Sequence, residues 1–354
     1  MTPLTSNADF YPPAITPIAD AALQARLLHK IDHKTKPLGA LGRLESLALQ
    51  IGLIQRSEEL IFEAPQILVF AADHGIAAEG VSAYPQAVTV QMVGNMLAGG
   101  AAINVFARQH GFALSVVDAG VAAELADDGQ LLKRKIAWGT NNICNAPAMS
   151  LEQAGQALQA GMALVQERPG NVIAFGEMGI ANSSCAALLL ARLAGLSLDT
   201  VVGRGTGLND AQLAHKQAVL ARALRQHADV HQPLQVLAAL GGFEIAMMAG
   251  AMLQAASERR VVLVDGFIAG AAALVAHALV PQVLDYLVFC HHSAERGHGL
   301  LLTHLQARPL LELGLRLGEG TGALLSWPLL QSAALFLNQM ASFDSAGVSQ
   351  KGAS

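Results

Sequence analysis

Charge is what this 354-residue chain has little of: Asp, Glu, Lys and Arg together make up 14%, with 22 basic residues against 27 acidic ones. The net charge of −5 offers no broad cationic face to nucleic acid or an anionic membrane, so a small-molecule partner is favoured. So little charged surface also points to subunits that cover one another. Cysteine is scarcer still. Cys144, Cys185 and Cys290 are odd in number and form no CxxC pair, which suits free thiols in a reducing cytoplasm better than a disulfide framework. The opening MTPLTSNADFYPPA lacks the basic and apolar regions of an export signal. A long unbroken apolar run is missing too. The richest stretch, 267–289, is interrupted by His277, Pro281, Gln282 and Asp285, so it reads as a buried helix followed by a strand and not as a membrane span. A cytoplasmic protein with neither membrane nor nucleic-acid partner is expected.

What abounds is apolar residues, 53%, and 34 glycines in short turn-like clusters, the composition of a compact enzyme-like fold. Five short apolar runs end in a polar or acidic residue beside Gly or Ser: ILVFAADHG (67–75), LSVVDAGV (114–121), NVIAFGEMG (171–179), VVLVDGF (261–267) and DYLVFCHHS (285–293). Alanine- and leucine-rich segments of helical spacing, such as 87–111 and 183–195, lie between them. The alternation predicts an α/β fold with a doubly wound, Rossmann-like parallel sheet covered on both faces. Ligands of such sheets bind beyond the carboxyl ends of the strands, where Asp73, Asp118, Glu177, Asp265 and Ser293 fall. Each alone serves as readily as a cap or turn residue; five along one edge favour a site there. The large domain is assigned to 51–300. Residues 1–50 and 301–354 are helical in pattern and are assigned to a second, smaller domain built from both termini. Its last helix starts near Thr321, with Pro328 bending or interrupting it.

Three glycine-rich stretches stand out: GRGTG (203–207), GEGTG (318–322) and FGEMGIANSS (175–184). Each could be a plain turn or a phosphate cradle, in which backbone N–H groups and a following helix start meet an anion. None is a dinucleotide fingerprint, and GxxxxGK[ST] is absent. Glu177 beside such a cradle would repel phosphate, so it faces a sugar hydroxyl or a cationic ring. CHHSAERGH (290–298) has a zinc-like composition, but its spacing matches no HExxH or CxxC template. It reads better as a hydrogen-bonding loop that offers Ser293 to a phosphate.

Eight motifs in order resemble the nicotinate-nucleotide:dimethylbenzimidazole phosphoribosyltransferase family over about residues 28–340: DHKTKPLGALGRLE, FAADHGIAAEGVSAYPQAVTVQMV, GTNNICNAPAMS, GEMGIANSS, VGRGTGLND, DGFIAGAAAL, HHSAERGH and RLGEGTGA. The resemblance implies a homodimer that moves phosphoribose from nicotinate mononucleotide to 5,6-dimethylbenzimidazole. It gives α-ribazole 5'-phosphate for the cobalamin nucleotide loop, and nicotinate. It also implies that Glu319, between Gly318 and Gly320, is the base and Glu177 a secondary carboxylate. The chain departs from the family at Ala181, usually glycine, at Ser183 and Ser184, usually threonines, at Asn209, and in TKPLGALG. The chemistry agrees. A pyridinium leaves neutral and needs no general acid, whereas the attacking benzimidazole becomes cationic and must lose a proton to a carboxylate. The transition state resembles an oxocarbenium ion, and attack from the opposite face inverts C1'. No metal or cofactor is called for. The 5'-phosphate is expected on the loops carrying Gly176, Gly179, Asn182, Ser183, Arg204, Gly205, Thr206 and Gly207, with Lys216 and Ser293 as side-chain partners. Ser82, Tyr84, Gln91 and Met92 are expected to wall the aromatic pocket. A related enzyme using adenine or a phenol, or a nucleotide-binding regulator without turnover, remains the alternative.

Overall fold

The computed structural model describes residues 10–205 and 207–349. Six strands, β1 (Gln66–Ala72), β2 (Ala113–Gly120), β3 (Leu131–Lys133), β4 (Val172–Met178), β5 (Val261–Val264) and β6 (Leu287–Phe289), form one sheet in the order β3-β2-β1-β4-β5-β6. Every neighbouring pair is parallel, and helices cover both faces, as expected for the doubly wound class. Strand β1 is buried along its whole length, which is why its sequence runs apolar without alternation. From β1 the chain goes outward to β2 on one side and later to β4 on the other. The crevice between the carboxyl ends of β1 and β4 is therefore the topological switch point, where such sheets take their ligands. Strand β3 was not expected; three residues at the edge carry too little apolar pattern to stand out.

The helical segment 87–111 is broken in the structure. It forms Val88–Leu97 and Ala102–His110, separated by a turn in which Gly99 has φ +79°. Asn104 Oδ1 accepts the N–H of Ala101 at 3.1 Å and stops the second helix from extending backwards. Residues 88–110 have the length and hydropathy of a membrane span, but two short helices replace one continuous helix. The break turns the N-terminus of Ala102–His110 toward the carboxyl edge of the sheet. Near the C-terminus, Thr321–Leu325 and Trp327–Gln339 are likewise two helices, with Pro328 in the first turn of the second.

The chain's two ends meet. Helix Arg43–Gln55 packs between Ala21–Asp32 and Trp327–Gln339, Lys34 bridges Ser342 in antiparallel fashion, and Asn338 bonds both backbone groups of Leu60 at 3.0 and 2.8 Å. Arg259 ties this group to the sheet through the carbonyls of Leu53 and Ile54 at 2.7 and 2.9 Å.

The centre of the fold is helix Phe243–Ser257, whose side chains are almost all buried. It crosses Leu151–Gln166 at backbone contact: a Cβ on Gly250 would overlap the Leu158 carbonyl, and one on Gly161 the Met247 carbonyl. Adding a methyl group there forces the helices apart, and overpacking of this kind costs about 1–3 kcal/mol. Gly250→Ala is expected to lower the thermal midpoint by several degrees, and an unchanged midpoint would rule out the close-contact account.

Candidate active site

One cavity opens at the carboxyl ends of β1, β4, β5 and β6. It is lined by Ser82, Glu177, Gly179, Asn182, Ser183, Arg204, Gly205, Lys216, Ser293 and Gly318 from the sequence expectations. Asp265, Gly266, Phe267, His291, Glu295 and Arg316 join them.

Part of its wall is the helix Asn182–Ala194, whose N-terminus faces the cavity with N–H groups and the positive end of the helix dipole. Ala181 takes φ +74°, a left-handed conformation that suits glycine, to turn the chain from β4 into this helix. Lys216, on helix Asp210–Gln226, is 2% exposed and donates to Ser183 Oγ at 3.0 Å. Burial lowers its pKa to about 8, while Glu295 acts in the opposite direction. Ser293 Oγ accepts the N–H of Glu295 at 3.3 Å, and its own N–H donates to His298 Nδ1 at 2.8 Å. Burial holds His298 neutral, with its pKa down to about 3. The other histidines of CHHSAERGH face carboxylates: His291 lies 3.4 Å from Asp265, and His292 3.2 Å from Glu312. Thr206 lies outside the described residues; Arg204 bonds Asp210 and the Leu208 carbonyl.

Carboxylates gather here from two strand ends and a turn. Glu177, closing β4, is 7% exposed and accepts from the Asn182 amide. Burial, reinforced by Glu244, Asp265 and Glu319, raises its pKa to about 8 against the opposing Asn182 bond. Glu319 is 4% exposed. It has φ +61° between Gly318 at +85° and Gly320 at +91°. Burial, then the charge of Asp265, raises its pKa, and the N–H of Ile103 opposes them. That N–H, in the first turn of Ala102–His110, meets Glu319 Oε2 at 3.3 Å. The glycines here are contact points: a Cβ on Gly176 would overlap the Glu319 carbonyl, and one on Gly318 the Glu177 carboxylate.

Glu319 itself is not on the cavity wall; its neighbour Gly318 is. Tyr84 is 51% exposed, Gln91 is exposed and Met92 half-buried, and these three also lie off that wall. Ser82 Oγ accepts the Tyr84 N–H at 3.3 Å. Two of the five edge residues hold loops: Asp118 pairs with Lys135 at 3.0 Å, and Asp73 accepts the Ala122 N–H at 2.8 Å. Asp265, noted at its strand end, and His291 were absent from the expected site residues. Only the position of Asp265 at a strand end signalled it.

A sequence model of a phosphoribosyltransferase family matches residues 16–348. The chain belongs to that family. Among its relatives, nicotinate-nucleotide–dimethylbenzimidazole phosphoribosyltransferase of Cupriavidus taiwanensis is 62% identical over 340 residues, 95% of this chain and 98% of that protein. The protein of the same name from Variovorax paradoxus is 59% identical over 339 residues, 96% and 97% of the two chains. The crystal structure of CobT from Thermus thermophilus superposes with a TM-score of 0.90 at 44% identity, covering 93% of this chain and all of that one. The family resemblance read from the eight motifs holds.

The buried Glu177 gives a stability signature. Its folded-state pKa of about 8 stands above the ordinary value of 4.5. The folded protein therefore holds a proton that the unfolded chain has lost between those values. The associated stability is complete below the lower value and is lost as pH rises through the upper one. Glu319, also raised, contributes with the same sign. The thermal midpoint of the ligand-free protein should fall as pH rises from about 6.5 to 8, above the range in which the neutral His298 acts with the opposite sign, and Glu177→Gln should flatten that fall. An equally steep fall in the variant would assign the proton elsewhere.

Proposed function

We propose that this chain transfers 5-phosphoribose from nicotinate mononucleotide to 5,6-dimethylbenzimidazole, releasing nicotinate and forming α-ribazole 5'-phosphate with inversion at C1', a step in building the cobalamin nucleotide loop. The observation that carries the reading is the lining of one cavity, which brings a helix N-terminus, Ser183 and the buried Lys216 together with the carboxylates of Glu177 and Asp265. A molecule with a phosphate on one side of a ribose and a cationic ring on the other matches both kinds of group. Relatives bearing the corresponding enzyme name support it.

In this reading the 5'-phosphate takes the N–H groups of the 179–183 turn, Lys216 and Ser293. Bound phosphate favours the charged form of Lys216, offsetting its burial. The pyridinium, arriving beside Glu177, favours the carboxylate in the same way. As the bond to nicotinate stretches, positive charge moves onto C1', where nearby carboxylates stabilise it. Glu319 is the base that takes the benzimidazole proton; its side chain exchanges the Ile103 N–H for the ring N–H. Leu317, Leu313, Tyr84 and Val105 are exposed apolar residues, which supports a homodimer, and the paired termini support a small helical domain beside the large one. Light scattering should return about twice the chain's 36.8 kDa; the single-chain mass would remove the dimer.

A specific observation favours a second assignment of roles: Glu177, and not Glu319, is on the cavity wall. One assay decides both points. Purified protein given nicotinate mononucleotide and dimethylbenzimidazole should form α-ribazole 5'-phosphate, and nicotinate riboside should react very poorly. No product with any of dimethylbenzimidazole, adenine or a phenol would end the enzymatic reading. Glu319→Gln should lower kcat by roughly 10²- to 10⁴-fold, the usual range of general-base catalysis, with the nucleotide dissociation constant little changed. Glu177→Gln should be milder. The reverse ranking would make Glu177 the base.

A further inference from the structure

Gly318, Glu319 and Gly320 form three successive left-handed residues, with φ +85°, +61° and +91°. Glu319 carries a Cβ, so its conformation is strained and persists only where the surroundings over-determine it. Thr321 bonds the Gly318 carbonyl at 2.9 Å and the Glu319 backbone lies on Gly176, and one carboxylate binds the N–H groups of the turn. Asp265, just past β5 and 2% exposed, accepts the N–H of Gly320 through Oδ2 at 3.1 Å. Its Oδ1 accepts the N–H groups of Gly322 and Ala323 at 2.7 and 3.2 Å. These donors are the residue that follows Glu319 and the first turn of helix Thr321–Leu325. On the far side His291 stands 3.4 Å from Oδ1. Its ring is wedged so closely against Gly322 that a Cβ there would overlap it.

We propose that Asp265 is the positioning residue of the reaction: by clamping three backbone N–H groups it holds the strained turn that aims Glu319, and its charge stands beside both Glu319 and Glu177. The inference rests on Glu319 being the base. Three N–H donors satisfy the Asp265 carboxylate and hold it in place while its neighbours exchange protons. That fixed charge is one cause of the raised proton affinity of both glutamates. Asp265 also lines the cavity, so the rival role is direct contact with the ribose.

The test compares the full-length wild type, Asp265→Asn, Glu319→Gln and the double variant for kcat, KM for nicotinate mononucleotide and the pH dependence of kcat. A misaimed base costs on the order of 10²-fold, so Asp265→Asn should lose about that much in kcat with KM nearly unchanged. Removing a like charge eases ionisation of Glu319, so the acid limb of the pH profile should move to lower pH. The double variant should be no slower than Glu319→Gln alone. Losses that multiply in the double variant overturn positioning in favour of direct contact with the sugar. A slow Glu319→Gln with unchanged Asp265→Asn overturns the clamp and leaves the base assignment standing. A fast Glu319→Gln overturns the base assignment and the proposal with it. Amide exchange on the wild type needs no variant to fold: Gly320, Gly322 and Ala323 should be protected, and exchange at the rate of unstructured peptide overturns the clamp.

Discussion

The backbone of Glu319 rests directly on the backbone of Gly176, and the site depends on that contact. A side chain at Gly176 would collide with the Glu319 carbonyl, so β4 can meet the turn from the far end of the chain only because the position is glycine. The contact brings Glu177 and Glu319 to the same place, with Asp265 from the neighbouring strand beside them. Like charges held together away from water oppose folding. The fold bears this cost because its central helix pair, Phe243–Ser257 on Leu151–Gln166, is packed at backbone contact elsewhere.

The same cavity is lined by a buried cation in the same predicament. Lys216 is buried and donates a hydrogen bond to Ser183, and burial weakens its hold on its proton. Glu295 partly offsets the burial of Lys216, and the Asn182 amide that of Glu177. Each leaves part of its electrostatic demand for a ligand to satisfy, so a ligand with charges of both signs gains at both groups, and one lacking either charge gains at one only.

The architecture was legible wherever burial imposes a local pattern. Strands β1, β2, β4, β5 and β6 are apolar runs because both faces of the sheet are covered, whereas β3 is an edge of three residues with no such imprint. The apolar spacing continues across the helix break at Ala98–Ala101, so only Gly99 and Gly100 mark it in the sequence. Glu177 could be placed from its strand end, whereas Glu319 was assigned through resemblance, since nothing in RLGEGTGA says which strand that turn will meet. Asp73, Asp118 and Asp265 looked alike in sequence, each an acid after an apolar run. Their roles separate only in three dimensions, where Asp73 and Asp118 hold loops at the β2 side and Asp265 faces the turn.

The two glutamates also differ in what opposes their burial. Glu177 has a neutral amide from Asn182 and three carboxylates as company. Glu319 has the Ile103 N–H at the start of a helix, where the donor and the helix dipole both favour the ionised form. That helix start exists because Gly99 and Gly100 divide 88–110 into two helices; a continuous helix would present no free N–H at Ile103. A base needs to be ionised before its proton arrives, whereas a carboxylate that balances a cationic substrate needs to ionise only when the substrate binds. The break in one helix, far in sequence from either glutamate, thus favours Glu319 for the first task and leaves Glu177 suited to the second.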